Sequence, residues 1–119
     1  MEWFILGRKR IYDNTKQWVK IYRDNKRKQA MNVISDQIEC INCGCNRFEL
    51  LEINHKNGGG REERRKNNYK SCLYFYNAII NGERSTEDLN ILCKVCNVLH
   101  YISLKYNNVQ YEIIYNSLK

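Results

Sequence analysis

A chain of 119 residues with 20 Lys and Arg against 13 Asp and Glu, a formal charge of +7 and a pI near 9.2, has the balance of a protein that meets a polyanion rather than an acidic small molecule. No apolar run is long enough to span a membrane, and Trp3-Phe4-Ile5-Leu6 is too short for the core of a signal peptide. The protein is therefore expected in the cytoplasm where it is made, and the length fits one domain whose apolar core alone would be marginal without a structural metal.

Residues 8–28 hold nine Lys or Arg and two acidic residues, enough to account for the whole net charge. Trp18, Ile21 and Tyr22, then Ala30, Val33 and Ile34, recur at helical spacing and predict a basic helix, whole or broken, over about Thr15 to Ser35. Lys26, Arg27 and Lys28 are its candidate phosphate contacts, and its interleaved aromatics also suit stacking on single-stranded bases. The competing reading is a solvated charged face on a helix packed against the rest of the domain.

Leu50 to His55 then reads as a strand with Leu51 and Ile53 on one face and Glu52 and Asn54 on the other, delivering an exposed His55 to the turn Gly58-Gly59-Gly60. Beyond the turn, Arg61, Arg64, Arg65, Lys66 and Lys70 form a second basic cluster; contact with phosphate and plain solubilisation both suit it. Tyr69, Cys72, Leu73, Tyr76, Ile79 and Ile80 share a helical face, with Cys72 as a small core residue, and Asn81-Gly82 ends the helix. Ser85 to Asp88 is a turn, Leu89 to Leu92 a strand, and a helix opens at Asn97 and runs to Lys105. From Val109 to Leu118 helix and strand fit equally.

Two cysteine pairs, Cys40-x-x-Cys43 and Cys93-x-x-Cys96, have the loop size that brings four thiolates to one tetrahedral zinc, clamping the 49 residues between them. Two disulfides or a redox pair are the competing reading. Cys45 is a spare ligand that can replace Cys43, although the spacing of the second pair favours Cys40 and Cys43.

Taken together, Cys-x-x-Cys, an apolar strand ending in Asn54-His55-Lys56-Asn57-Gly58-Gly59-Gly60, a basic helical insert over Arg61 to Gly82, and Asp88-Leu89-Asn90-Ile91-Leu92-Cys93-Lys94-Val95-Cys96-Asn97 resemble the HNH endonucleases of the His-Me (ββα-metal) class, in the zinc-clamped form common in phages and mobile elements. The resemblance covers about Ile38 to Lys105 and implies a small α+β domain. That domain spans 37–106, a basic helical arm precedes it over 1–36, and a tail packs on it over 107–119. Also implied are phosphodiester hydrolysis with His55 as general base, a role suited to an imidazole near neutral pH, and Mg²⁺ or Mn²⁺ held by Asn54 and Asn97. Asp88 falls where the family usually has a bracing Asn, and it either holds the loop or faces the ion as the carboxylate that Asn54 lacks. His100, one turn after Asn97, either joins that ion or packs over the strands. The partner implied is DNA, with nothing in the pattern to separate it from RNA, and the alternative is an inactive zinc-containing module that binds nucleic acid within a larger assembly.

Overall fold

Leu51–His55 (β1) and Leu89–Cys93 (β2) pair antiparallel, with Leu51 opposite Cys93, Ile53 opposite Ile91 and His55 opposite Leu89. The protein is seen in a computed structural model that describes residues 2–107 and 110–116, with side chains from residue 15 onward. Among the described residues four α-helices lie around the two strands, α1 (Glu2–Ile34), α2 (Gly60–Lys66), α3 (Cys72–Ile80) and α4 (Lys94–Lys105). The architecture is a small mixed α/β one, and among the described residues no helix is long and apolar enough to cross a membrane.

Strand alternation puts Leu51, Ile53, Leu89 and Ile91 on one face, where they meet α1 and α3. Met31 packs there with Leu51, Ile91 and the cysteines, while Ala30, Ile79 and Leu89 form an adjoining cluster. Among the described side chains of α1, the C-terminal ones root it in this way: Ala30 and Met31 are fully buried, whereas Trp18, Val19, Ile21 and Tyr22 stand exposed. Arg27 shares the inner face of α1, one turn before Ala30 and Met31. It donates to the carbonyls of Leu51 at 3.2 Å and Phe48 at 3.4 Å, its guanidinium 4.2 Å over the Phe48 ring. Its first role is thus to tie α1 to β1. Lys28 is exposed, and Lys26 lies 5.8 Å over the ring of Tyr22.

The opposite face of the strands is covered by α4. Asn54, on the face opposite Leu51 and Ile53 as its alternation predicts, is consequently buried, its amide donating to Asn90 Oδ1 at 2.9 Å. α4 begins at Lys94 rather than Asn97, because the Cys93 thiol accepts the backbone N–H of Cys96 and caps the helix. The basic insert is two helices, broken at Asn67 to Ser71, and Cys72 lies exposed at the start of α3 instead of in its apolar stripe. Gly82, at φ +74°, follows Asn81 and ends α3. Within the tail, only 110–116 fall among the described residues; these form neither helix nor strand, and Ile113 and Tyr115 pack against the core.

Candidate metal centre and active-site cleft

The cysteine pairs converge. Sγ atoms of Cys40, Cys43, Cys93 and Cys96 all lie within 4.8 Å of one another, with Cys43 and Cys93 3.8 Å apart. A tetrahedral zinc with bonds of about 2.3 Å sets its sulfurs about 3.8 Å apart, so the four could hold an ion such as zinc once the wider pairs draw in by up to about 1 Å. That spacing is far beyond a disulfide bond, and all six cysteines are free. Backbone N–H groups make the pocket receptive to thiolate: burial opposes charge on Cys40, but the main chain of Cys43, Cys93 and Asn42 brings it down to about 7. Burial drives Cys96 the other way, against a hydrogen bond from the Asn42 side chain at 3.3 Å. Four thiols crowded together cannot all ionise unless a cation joins them. Cys45 is buried in the neighbouring core and is not part of the cluster.

Along the free edge of β1 runs a cleft of about 600 Å³ lined by Glu52, Ile53 and His55, with Arg27 from α1, Gly60, Arg61 and Arg64 from α2, Cys72, Phe75 and Tyr76 from α3, and Lys94 from α4. Gly58 and Gly59 turn the chain with φ of +76° and +86°, and Gly59 caps α2. Gly60 serves differently: a Cβ there would lie 3.1 Å from Nδ1 of His55. The turn therefore folds α2 directly over the imidazole.

His55 is not the exposed side chain expected of a loop histidine. It is 18% exposed, stacks on Phe75 at 5.4 Å, and its Nε2 lies 3.2 Å from Oε1 of Glu63 on α2. A carboxylate can only accept, so Nε2 carries a proton, and Nδ1 lies on the side of the ring beside Gly60. Arg84 secures Glu63 through both oxygens, at 2.5 and 2.9 Å, and grips Asp88 at 2.7 and 2.8 Å. These hydrogen bonds hold the Glu63 and Asp88 carboxyls below their usual range, against the opposing effect of burial. Asp88 thus faces Arg84, while its carbonyl braces the loop by accepting the Lys56 N–H at 2.8 Å.

Arg84→Met is expected to lower stability by about 2 kcal/mol at pH 7, the cost of breaking such a network discounted for its partial exposure. Carboxyls depressed in the folded state stabilise it above their ordinary values of 4.5 and 3.8 and lose that contribution only as pH falls below them. The gap from the parent in urea denaturation should therefore stay constant from about pH 8 to 5. Closure of the gap within that window would assign the effect to another group.

The remaining expected site residues separate. Arg61 and Arg64 line the cleft and Arg65 is exposed outside it. Asn97 donates from Nδ2 to Glu52 Oε2 at 2.8 Å. Asn54 does not line the cleft. His100 faces a different cavity, with Asn42, Asn90 and Cys96, and does not join His55. Glu52, Glu63, Phe75 and Arg84 are site residues to which sequence reasoning gave no role. Comparison with protein-family models, with curated proteins and with solved structures yields no match.

Proposed function

We propose that the chain is a metal-dependent endonuclease of the HNH type, hydrolysing DNA phosphodiester bonds within a ββα-metal fold made of β1, β2 and α4 and clamped by a structural zinc. The observation that carries the reading is His55, whose Nε2 is held by Glu63 and which lines a cleft together with four cationic side chains. In this reading Arg61, Arg64 and Lys94 receive the phosphodiester, and Nδ1 takes a proton from the water that attacks phosphorus as the bond to the leaving oxygen breaks. Glu63 keeps the other ring proton in place, so the imidazole accepts at one nitrogen only. Mg²⁺ or Mn²⁺, when bound, supplies positive charge to the phosphate and the departing oxygen.

Conversion of supercoiled plasmid to open circles by zinc-loaded protein with either ion is the expected result. Retention of DNA without conversion under both ions would favour the second reading, a nucleic-acid-binding module. That reading draws on Asn54, which is neutral, buried and committed to Asn90.

Gly60→Ala tests the assignment of Nδ1. The added methyl meets the ring at 3.1 Å and covers the nitrogen that accepts the proton. Nicking should fall about tenfold or more, by analogy with the loss from a misplaced catalytic group. The thermal midpoint should move little, because the position is at the first turn of a helix with an ordinary φ. Unchanged nicking would place the working nitrogen elsewhere.

A further inference from the structure

We infer that a DNA backbone runs along one face of α1, over Lys16, Lys20 and Arg23, and enters the His55 cleft at Arg27. The inference takes its partner from the nuclease reading, although it does not require cleavage. The cations differ from Lys26 and Lys28, which the sequence alone suggested.

α1 is one unbroken helix, so each residue's place on its circumference follows from a turn of 3.6 residues. Lys16, Lys20, Arg23 and Arg27 follow one another at spacings of four, three and four residues, and so share a narrow face. Ala30, Met31 and Ile34 continue the same row, and they seat α1 in the two apolar clusters. The row thus changes from cationic to apolar just past Arg27, which lines the cleft with His55.

Lys16, Lys20 and Arg23 are exposed, line one groove, and form no ion pair among the described residues. The acidic side chain in that groove, Asp24, lies 3.7 Å from Arg27. From Lys16 to Arg27 the row extends about 16 Å along the helix, enough to meet several successive phosphates of one strand. Trp18 and Tyr22 lie about half a turn round the helix from this row, both exposed. A strand whose phosphates follow the row therefore does not bring its bases to those rings, and the arrangement suits a duplex with its bases paired rather than a stacked single strand.

The test is fluorescence anisotropy of a labelled duplex, and of one of its strands alone, with the zinc-loaded full chain over a series of salt concentrations. The parent should bind the duplex more tightly than the strand. Lys16→Gln with Lys20→Gln should reduce the slope of log affinity against log salt by about 2, since each lost phosphate contact removes about 0.9. Lys26→Gln with Lys28→Gln removes the same charge away from the row and should reduce it by less than half as much. Trp18→Ala should leave binding within about twofold. Zinc content and circular dichroism report whether each variant is folded. Equal slopes in the two double variants would mean that net charge alone acts, and would overturn the inference. A parent that does not bind the duplex, or prefers the strand, overturns it too, as does a tenfold loss in Trp18→Ala, the mark of base stacking. Plasmid nicking is read separately. Binding along the row by a protein that cuts nothing sinks the nuclease reading and leaves this surface standing, whereas nicking by a parent whose binding ignores Lys16 and Lys20 does the reverse.

Discussion

Chelation of the cysteine-bound metal is expected to abolish the cooperative thermal transition of this protein, not merely to lower its midpoint. Among the described residues twelve apolar side chains are buried, and four of them are cysteines, three of these in the thiolate cluster. The cluster joins the Cys40 to Cys43 loop to the end of β2 and the first turn of α4. Without a cation, burial holds the Cys43 and Cys96 thiols neutral, so no charge links the loop to β2 and α4. A structural zinc contributes on the order of 10 kcal/mol, comparable to the whole stability of a small domain. Circular dichroism melts with and without EDTA, and on Cys96→Ser, should show the loss in both cases. Cys45→Ser is the control, because Cys45 is equally buried but outside the cluster, and it should still melt cooperatively. A chelated protein that keeps its transition would show that the apolar clusters suffice alone.

What the sequence discloses and what it hides divide along one physical line. The thiolate cluster was legible because a C-x-x-C loop sets the reach of its own two sulfurs, whatever surrounds it. The strand before His55 was legible from its period-two pattern and the glycines after it. The true start of α4 was not, because a thiol of the cysteine cluster caps it where a Ser, Thr, Asp or Asn would ordinarily announce a helix. Glu63 lies eight residues beyond His55 and Arg84 a further 21; Glu63 meets the imidazole, and Arg84 meets Glu63, only because the glycine turn folds α2 back and α3 returns the chain. No local spacing encodes that meeting. Burial of Asn54 likewise depends on α4, a helix far along the sequence, covering the second face of two strands. The packing role of Arg27 was readable too, for its place one turn before Ala30 and Met31 puts it on the inner face of α1.

Replacing His55 should produce the largest loss of activity, and the choice of replacement decides what the loss means. His55→Ala removes the ring that stacks on Phe75 and leaves Glu63 with Arg84 as its partner. Nicking should fall about 10²- to 10⁴-fold, the usual worth of a general base. The deletion also opens a space beside Phe75, so a fall in this variant alone would be open to a structural explanation. His55→Gln removes that ambiguity. Its amide can still donate to Glu63, yet it accepts no proton at neutral pH, so a merely structural histidine would be largely replaced and a general base would not. Both variants should lose nicking to a similar extent while keeping zinc content and a cooperative melt. Added imidazole should restore part of the activity to His55→Ala, where the ring has left room, and none to His55→Gln, where the side chain still fills the site. Activity retained by His55→Gln would reduce His55 to an anchor for Glu63 and return the proton transfer to another group in the cleft.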